Sequence, residues 1–201
     1  MRTVKFLSII SSNVLPMLFW IFLMFGLDSP IVVLYSVLCA LVHEAGHLIS
    51  ARLLRIKTET PRATLDGFRI KTKSTYTYTE EIIILLSGPL MNVVLSLLLT
   101  LLFPRGGRFA LLSSVSLATG ISNLIPIEGN DGYGILRATL SGKEVGDSVL
   151  LLDRVSFTVC VVMTFFSLYL LDKSNSGYWL FSIFFISLVK NINRSLSQSI
   201  F

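Results

Sequence analysis

Two histidines and a glutamate lie together in the stretch HEAGH, residues 43–47, and these residue types can do metal chemistry. His43 and His47 are four residues apart, so on a helix their side chains stack on one face and can chelate a single ion. Glu44 is one step round the helix, where its carboxylate can reach a water molecule on that ion. In this H-E-x-x-H arrangement the imidazoles bind zinc, and the carboxylate takes a proton from zinc-bound water.

The position of this motif in the chain is stronger evidence for a metal site than its sequence pattern alone. It holds the only two histidines of the chain, and it ends the apolar run IVVLYSVLCALV. Ionisable groups inside a membrane span cost at least about 2.5 kcal/mol each, so they indicate a function. A pair of neutral, hydrogen-bonded core histidines, with Glu44 reaching to the membrane surface, is the alternative. Cys39, one turn before His43, is either a further ligand or, as we prefer, a small packing residue.

The composition predicts the class of protein. Of the 201 residues, 53% are hydrophobic and 14% are charged, against about 45–50% and about 25% in soluble domains. A helix needs about 20 apolar residues to cross a membrane. We therefore predict an all-α polytopic membrane protein that forms a single domain over residues 1–201. Its six candidate spans, the last of them short, are 6–27, 30–51, 82–103, 109–127, 149–171 and 178–189.

The basic residues predict the orientation of these spans. With the amino terminus inside, every lysine and arginine except Arg105, Arg108 and Lys173 falls on the cytoplasmic side, where such residues are retained. Both termini are then cytoplasmic, and the active site lies toward the cytoplasm. Basic residues that flank spans face anionic lipid headgroups in the bilayer, so the net charge of +5 does not call for nucleic acid.

A third metal ligand has to come from the end of the fourth span, because that span also runs inward and ends at the depth of the histidines. This end reads SNLIPIEGNDGYG, residues 122–134, where Pro126 and three glycines interrupt the helix. Broken backbone at this depth is tolerated only where it is buried in protein or lines a watery cavity. We predict Asp131 as the third ligand. Glu128 is an alternative ligand, and the alternative role of Asp131 is to cap a helix.

Three separated motifs together resemble the site-2 protease family of intramembrane zinc metalloproteases. They are HEAGH at 43–47, SGPLMN at 87–92 and NLIPIEGNDG at 123–132, and they occur in the expected order. The resemblance covers a catalytic core of about residues 30–140, which leaves the fifth and sixth helices at about 149–190. The chain is similar to the minimal, sporulation-type bacterial branch, which implies a bacterial cell membrane.

The fourth-span motif both follows the family pattern and departs from it. The residues that fall at family spacing are Asn123, Pro126, Asp131 and Gly132. A proline and a leucine usually precede the aspartate-glycine pair, and a glycine often follows it. Here those places are taken by Gly129, Asn130 and Tyr133. These departures concern the shape of the loop and not the ligand.

The resemblance implies an activity, cleavage of a peptide bond in or near a transmembrane segment of a membrane-bound substrate, releasing a cytoplasmic fragment. One Zn²⁺ per chain would be held by His43, His47 and Asp131, with Glu44 as the general base.

Two asparagines could assist this reaction. Asn123 and Asn92 could donate hydrogen bonds to the substrate backbone or to the developing oxyanion. The alternative for both is interhelical hydrogen bonding, which is common in membrane bundles.

The loop between the second and third spans predicts a small β-hairpin or sheet at the membrane surface. In ATLDGFRIK, apolar residues alternate around Asp66-Gly67, which is a signal for a two-residue turn. The edge of this sheet could add a substrate strand, with Phe68 and Ile70 as the contact residues. An amphipathic hairpin that only anchors the loop is the alternative.

Three other functions have to be weighed. A catalytically silent membrane protein could bind or chaperone a partner on the same fold, but it would not need to keep Glu44. A metal transporter would need a continuous polar path, which the fifth and sixth spans do not offer. The prenyl-type membrane proteases also use H-E-x-x-H, but they would need a later glutamate ligand, and no comparable motif follows residue 140.

The resemblance implies a substrate that is a membrane protein. A regulatory membrane partner or a homo-oligomer is compatible with the sequence.

Proline scanning of residues 58–79 tests the strand-addition hypothesis. A proline in the strand that pairs with substrate removes a backbone donor, so cleavage should fall at alternate positions of one strand. If folded variants cleave a substrate normally at every position, the loop does not pair with it.

Overall fold

The computed structural model describes residues 21–56, 62–64, 67–69, 77–104, 106–140, 145–174 and 177–199. Residues 21–27 are helical (α1). The other helices and strands follow in chain order: α2 Pro30–Leu53, β1 Arg62–Thr64, β2 Gly67–Arg69, α3 Tyr78–Leu102, α4 Arg108–Leu124, α5 Asp131–Leu140, α6 Val145–Ser174 and α7 Tyr178–Ser199.

Local sequence signals set the ends of the helices around the motif segments. Helix α2 begins at Pro30, because a proline at the first position removes only an N–H that has no partner in the helix. Helix α3 begins after a capping box, in which the Thr77 N–H donates to Oε2 of Glu80 at 2.7 Å and the Glu80 N–H donates to the Thr77 hydroxyl at 3.3 Å. Helix α4 ends before Ile125, which is extended because Pro126 follows it.

Within the described ranges, three helices are long and apolar enough to cross a membrane: Pro30–Leu53, Tyr78–Leu102 and Ser148–Lys173. Their outer faces carry large exposed apolar side chains such as Leu97, Leu101 and Phe165, which suit contact with lipid. The protein is a membrane protein. Helix α4 has 17 residues, the apolar part of α7 runs from Leu180 to Asn193, and most of the first predicted span lies outside the described residues. The count of six spans therefore stays a prediction.

Helices α2, α3 and α4 pack against one another, and small polar residues line the contact between α3 and α4. The Ser116 hydroxyl donates to the backbone carbonyl of Asn92 at 2.9 Å. The hydroxyls of Ser96 and Ser113 are 2.9 Å apart and hydrogen-bonded. Without water in the bilayer, close packing of small residues and such hydrogen bonds hold membrane helices together. These bonds hold α3 against α4, and α2 packs on both of them.

A second helix pair, α6 and α7, packs around a buried cluster of Ile127, Cys160 and Phe184. Helix α5 lies between the two groups, since it contacts α3, α4 and α6. The segment that carries the predicted ligand Asp131 is therefore located where the α2–α3–α4 group meets α6.

The loop between α2 and α3 contains two antiparallel strands in the register Arg62–Arg69, Ala63–Phe68 and Thr64–Gly67. Because Thr64 pairs with Gly67, this glycine belongs to a strand and not to the turn that the Asp66-Gly67 signal predicts. The strand register outweighs the local turn preference. The wider sheet at the membrane surface, including the stretch TYTYT that falls mainly outside the described residues, stays a prediction.

The close approach of α2 and α3 predicts the effect of a small substitution at Gly46. A Cβ atom there would lie 2.6 Å from the carbonyl oxygen of Ser87 and 2.8 Å from Cγ of Met91. We expect Gly46→Ala to lower the free energy of unfolding by about 1–3 kcal/mol, because the backbone of α3 has to move. Thermal unfolding in detergent measures the change. Gly26→Ala, where nothing lies within 4 Å of the added atom, is the matched control. Equal stability of the two variants would contradict this packing.

Candidate metal centre

The two histidines of HEAGH are buried on the face of α2 that packs against α3. Nδ1 of His47 lies 2.7 Å from the backbone carbonyl oxygen of Ile84 in α3. A carbonyl can only accept a hydrogen bond, so Nδ1 carries the proton and donates it. The neutral ring then presents a lone pair at Nε2, which is the tautomer that binds a metal.

Asp131, the first residue of α5, meets both histidines. Its Oδ2 atom is 3.0 Å from Nε2 of His43 and 3.4 Å from Nε2 of His47, and the two Nε2 atoms are 3.1 Å apart. Zinc bonds to nitrogen and oxygen ligands are about 2.0–2.2 Å long, so ligand atoms of a tetrahedral site lie about 3.3–3.6 Å from one another. The three atoms therefore form a triangle that needs to open by only a few tenths of an ångström to hold a zinc ion.

The chemistry of these atoms also fits a cation. Oδ2 of Asp131 is buried, and none of its contacts with the imidazoles has hydrogen-bond geometry. A proton between the two Nε2 atoms would account for only one edge of the triangle, and the carboxylate oxygen would still be buried beside a nitrogen lone pair without a partner. A protonated histidine would supply a positive charge, but its N–H would have to point at the oxygen. A metal ion satisfies all three atoms at once.

The turn that brings Asp131 to the histidines depends on three residues, of which Gly129 and Asn130 depart from the family pattern and Gly132 follows it. Gly129 has a φ of 103°, which is a backbone conformation that favours glycine. The side-chain amide of Asn130 donates to the carbonyl of Ser122 at 2.9 Å and so ties the turn to the end of α4. Gly132 packs against the backbone of Leu124, where a larger residue has no room.

Among the described residues, His43, His47 and Asp131 are the only group of three or more that could hold a metal ion. The alternative ligands considered from the sequence are not part of it. Cys39 is buried, and Glu128 lies where its backbone N–H bonds to α6. Glu44, the predicted general base, is half-buried and follows His43 directly on α2.

The predicted substrate-binding residues lie in different surroundings. The side-chain amide of Asn123 donates to the carbonyl of Thr119 at 2.9 Å, within its own helix. Asn92 is fully buried, and neither atom of its amide has a hydrogen-bond partner in the described part of the chain. Phe68 lies in β2 opposite Ala63, and Ile70 lies outside the described residues. The roles of these four residues in binding substrate stay predictions.

Sequence reasoning missed two contributions of α3 to this site. One is the backbone carbonyl of Ile84. Every residue has such a carbonyl, so the residue types do not show which one meets His47. The other is Gly88, where an added Cβ atom would lie 2.5 Å from Cε1 of His47 and 2.8 Å from Cε1 of His43. The imidazole rings thus occupy the space that any other residue would fill. The pair Ser87-Gly88 in SGPLMN was the available signal, since small residues mark close helix contacts in membranes.

The contact at Gly88 predicts that Gly88→Ala displaces the histidine rings and weakens zinc binding at least tenfold. The measurement is the zinc dissociation constant of the purified protein in detergent, obtained by competition with a chelator. Gly134→Ala is the matched control, because its added atom would meet only the flexible side chain of Leu85, at 2.8 Å. If the two variants bind zinc equally well, Gly88 does not shape the site.

No family model matches the sequence, and no curated protein matches it. Among solved structures, the chain is similar to a site-2 protease from Methanocaldococcus jannaschii, with a TM-score of 0.65 and 21% sequence identity over 90% of this chain and 86% of that one. The chain therefore has the fold of a site-2 protease, the intramembrane protease family that its three motifs resemble.

Proposed function

We propose that this chain is a zinc-dependent intramembrane endopeptidase, which hydrolyses a peptide bond in or near a transmembrane segment of a membrane-bound substrate and releases a cytoplasmic fragment. The observation that carries the proposal is the triangle of buried ligand atoms from His43, His47 and Asp131, with edges of 3.0, 3.1 and 3.4 Å. The similarity of fold to a site-2 protease supports it.

Zinc held by these three residues would act as a Lewis acid toward the scissile carbonyl and would make bound water acidic. The residues of the chain supply the rest of the chemistry. Glu44 accepts the proton of the attacking water and delivers it to the leaving amine, so one carboxylate serves as base and then as acid. The carbonyl of Ile84 keeps His47 in the tautomer that the site requires.

The fold places demands on the substrate. A peptide in a helix shields each carbonyl with its own hydrogen bond, so the substrate must be extended where it is cut. We propose that the edge of the β1–β2 pair, with Phe68 and Ile70, holds this extended segment. Asn123 and Asn92 are proposed to bind the substrate backbone or the oxyanion. For Asn92 this requires that the packing around its buried amide opens.

The orientation and partners belong to the same proposal. HEAGH and the segment that carries Asp131 would both lie at the cytoplasmic ends of their spans. This position would give the site access to cytoplasmic water in a bacterial cell membrane. A regulatory membrane partner or a second copy of the chain could control access of the substrate. A silent binding protein on the same fold would not need three ligand atoms that converge on one point, so the catalytic function is preferred.

Replacing the general base should separate chemistry from metal binding. We expect Glu44→Gln to lower the cleavage rate about 10²–10⁴-fold, because the glutamine cannot accept a proton, while bound zinc stays at the wild-type level. The assay co-expresses the protein with a panel of tagged single-span membrane proteins and follows the size of each product. Glu81→Gln, in the first turn of α3, is the matched control for loss of one carboxylate.

A metal-ligand variant completes this comparison. Asp131→Ala should lower both cleavage and the zinc-to-protein ratio, since it removes one of three ligands. If Glu44→Gln cleaves as fast as the wild type, the proposed mechanism is wrong. If Asp131→Ala retains the full zinc content with unchanged affinity, Asp131 is not a ligand.

A further inference from the structure

Two hydrogen bonds join the segment that carries Asp131 to helix α6. The backbone N–H of Glu128 donates to the hydroxyl of Ser156 at 2.8 Å. The phenolic hydroxyl of Tyr133 donates to Oδ1 of Asp153 at 2.5 Å. Tyr133 and Ser156 are buried. The two bonds lie on either side of Asp131, three residues before it and two residues after it.

Apolar packing attaches the same segment to the same pair of helices. Ile127 is completely buried in a cluster with Cys160 of α6 and Phe184 of α7. A buried side chain in such a cluster has little freedom to move without opening a cavity. The turn before Asp131 is therefore held to the α6–α7 pair by both packing and a hydrogen bond.

The histidines are held in a different way. His47 is fixed by the Ile84 carbonyl, and both rings lie against Gly88, so α3 determines where they sit. Helix α5, which carries Asp131, packs on α3 and α4 and also on α6. Asp131 therefore shares the support of α3 with the histidines, and the bonds to Ser156 and Asp153 add α6 as a further support of its turn.

We propose that Tyr133 and Asp153 are positioning residues for the metal ligand Asp131, so that helix α6 sets how well the third ligand meets the histidines. This inference rests on the zinc site of the proposed function. Tyr133 is the third residue of α5, in the same first turn as Asp131. Its hydroxyl is hydrogen-bonded to Asp153 of α6. Loss of this bond removes the hold of α6 on the first turn of α5, which can then shift relative to His43 and His47 as far as its contacts with α3 and α4 allow. The carboxylate of Asp131 moves with that turn.

The substitution Tyr133→Phe tests this, because it keeps the buried ring and removes only the hydroxyl. We expect zinc affinity to fall about tenfold or more, in the range seen when outer groups that orient metal ligands are removed. The full-length protein in detergent is titrated with Zn²⁺ against a chelator. Tyr169→Phe makes the same chemical change at an exposed position of α6 and is the matched control.

Substitution with Co²⁺ provides a readout that a merely structural role would not change. Cobalt binds to the same kinds of ligands as zinc, and its visible absorption depends on the number and geometry of those ligands. Tyr133→Phe should change the absorption spectrum of the cobalt-loaded protein in the same direction as Asp131→Ala. Tyr169→Phe should leave the spectrum as it is in the wild type.

Variants of Asp153 examine the same bond from the other side. Asp153→Asn keeps an acceptor oxygen and should retain most of the zinc affinity, whereas Asp153→Leu removes the acceptor and should match Tyr133→Phe. If one bond is responsible, the double variant Tyr133→Phe/Asp153→Leu should bind zinc no more weakly than the weaker single variant. Should Tyr133→Phe fail to give folded protein, the Asn and Leu variants at 153 make the comparison alone.

The outcomes separate this inference from the proposed function. Wild-type protein that binds no zinc contradicts the metal site itself. Wild-type protein that binds zinc, with Tyr133→Phe equal to Tyr169→Phe in affinity and in cobalt spectrum, overturns only the role of Tyr133. Equal affinities of Asp153→Leu and Asp153→Asn would likewise overturn the role of Asp153.

Discussion

The hydrogen bond from Nδ1 of His47 to the carbonyl of Ile84 is the interaction on which the site depends. It fixes the tautomer of one imidazole, and it can form only if α3 lies directly against the histidine face of α2. That approach in turn requires glycine at two places. Gly46 makes room for the backbone of α3 near Ser87, and Gly88 makes room for the rings. The packing of the two helices, the tautomer of His47 and the placement of both histidine rings are thus consequences of one helix contact.

The surroundings of this contact follow from the absence of water in a bilayer. A polar group inside the membrane must find a partner within the protein, and the hydroxyls between α3 and α4 do so by bonding to one another and to backbone carbonyls. In the part of the chain that the structure describes, four buried side-chain atoms have no hydrogen-bond partner, and they belong to three residues. Two of these atoms, Nδ1 of His43 and Oδ2 of Asp131, are in the site, and the other two form the amide of Asn92. For Oδ2 of Asp131, a metal ion is the partner that fits.

The meeting of His43, His47 and Asp131 could be predicted from the sequence, but the contacts that hold these three residues in place could not. His43 and His47 follow from helical periodicity, and Asp131 follows from the alternating direction of the spans, which brings two distant motifs to one depth. No comparable rule predicts which carbonyl meets His47 or that Tyr133 reaches Asp153, because these contacts depend on the packing of helices that are distant in sequence. The same holds for the strands β1 and β2, where pairing overrode the turn signal at Gly67. Length arguments also left the number of spans open, since α4 is shorter than a full span.

That short helix has a consequence for how the site meets water. Seventeen residues of α-helix extend about 26 Å, whereas the hydrocarbon core is about 30 Å thick. Helix α4 by itself therefore falls short of a full crossing, and either the bilayer thins around it or the broken segment after Leu124 completes the passage. In the first case the membrane surface comes closer to the end of α4, and in the second Asp131, seven residues after that end, lies close to the surface itself. The short helix would thus shorten the distance that a water molecule has to travel to the three buried ligand atoms.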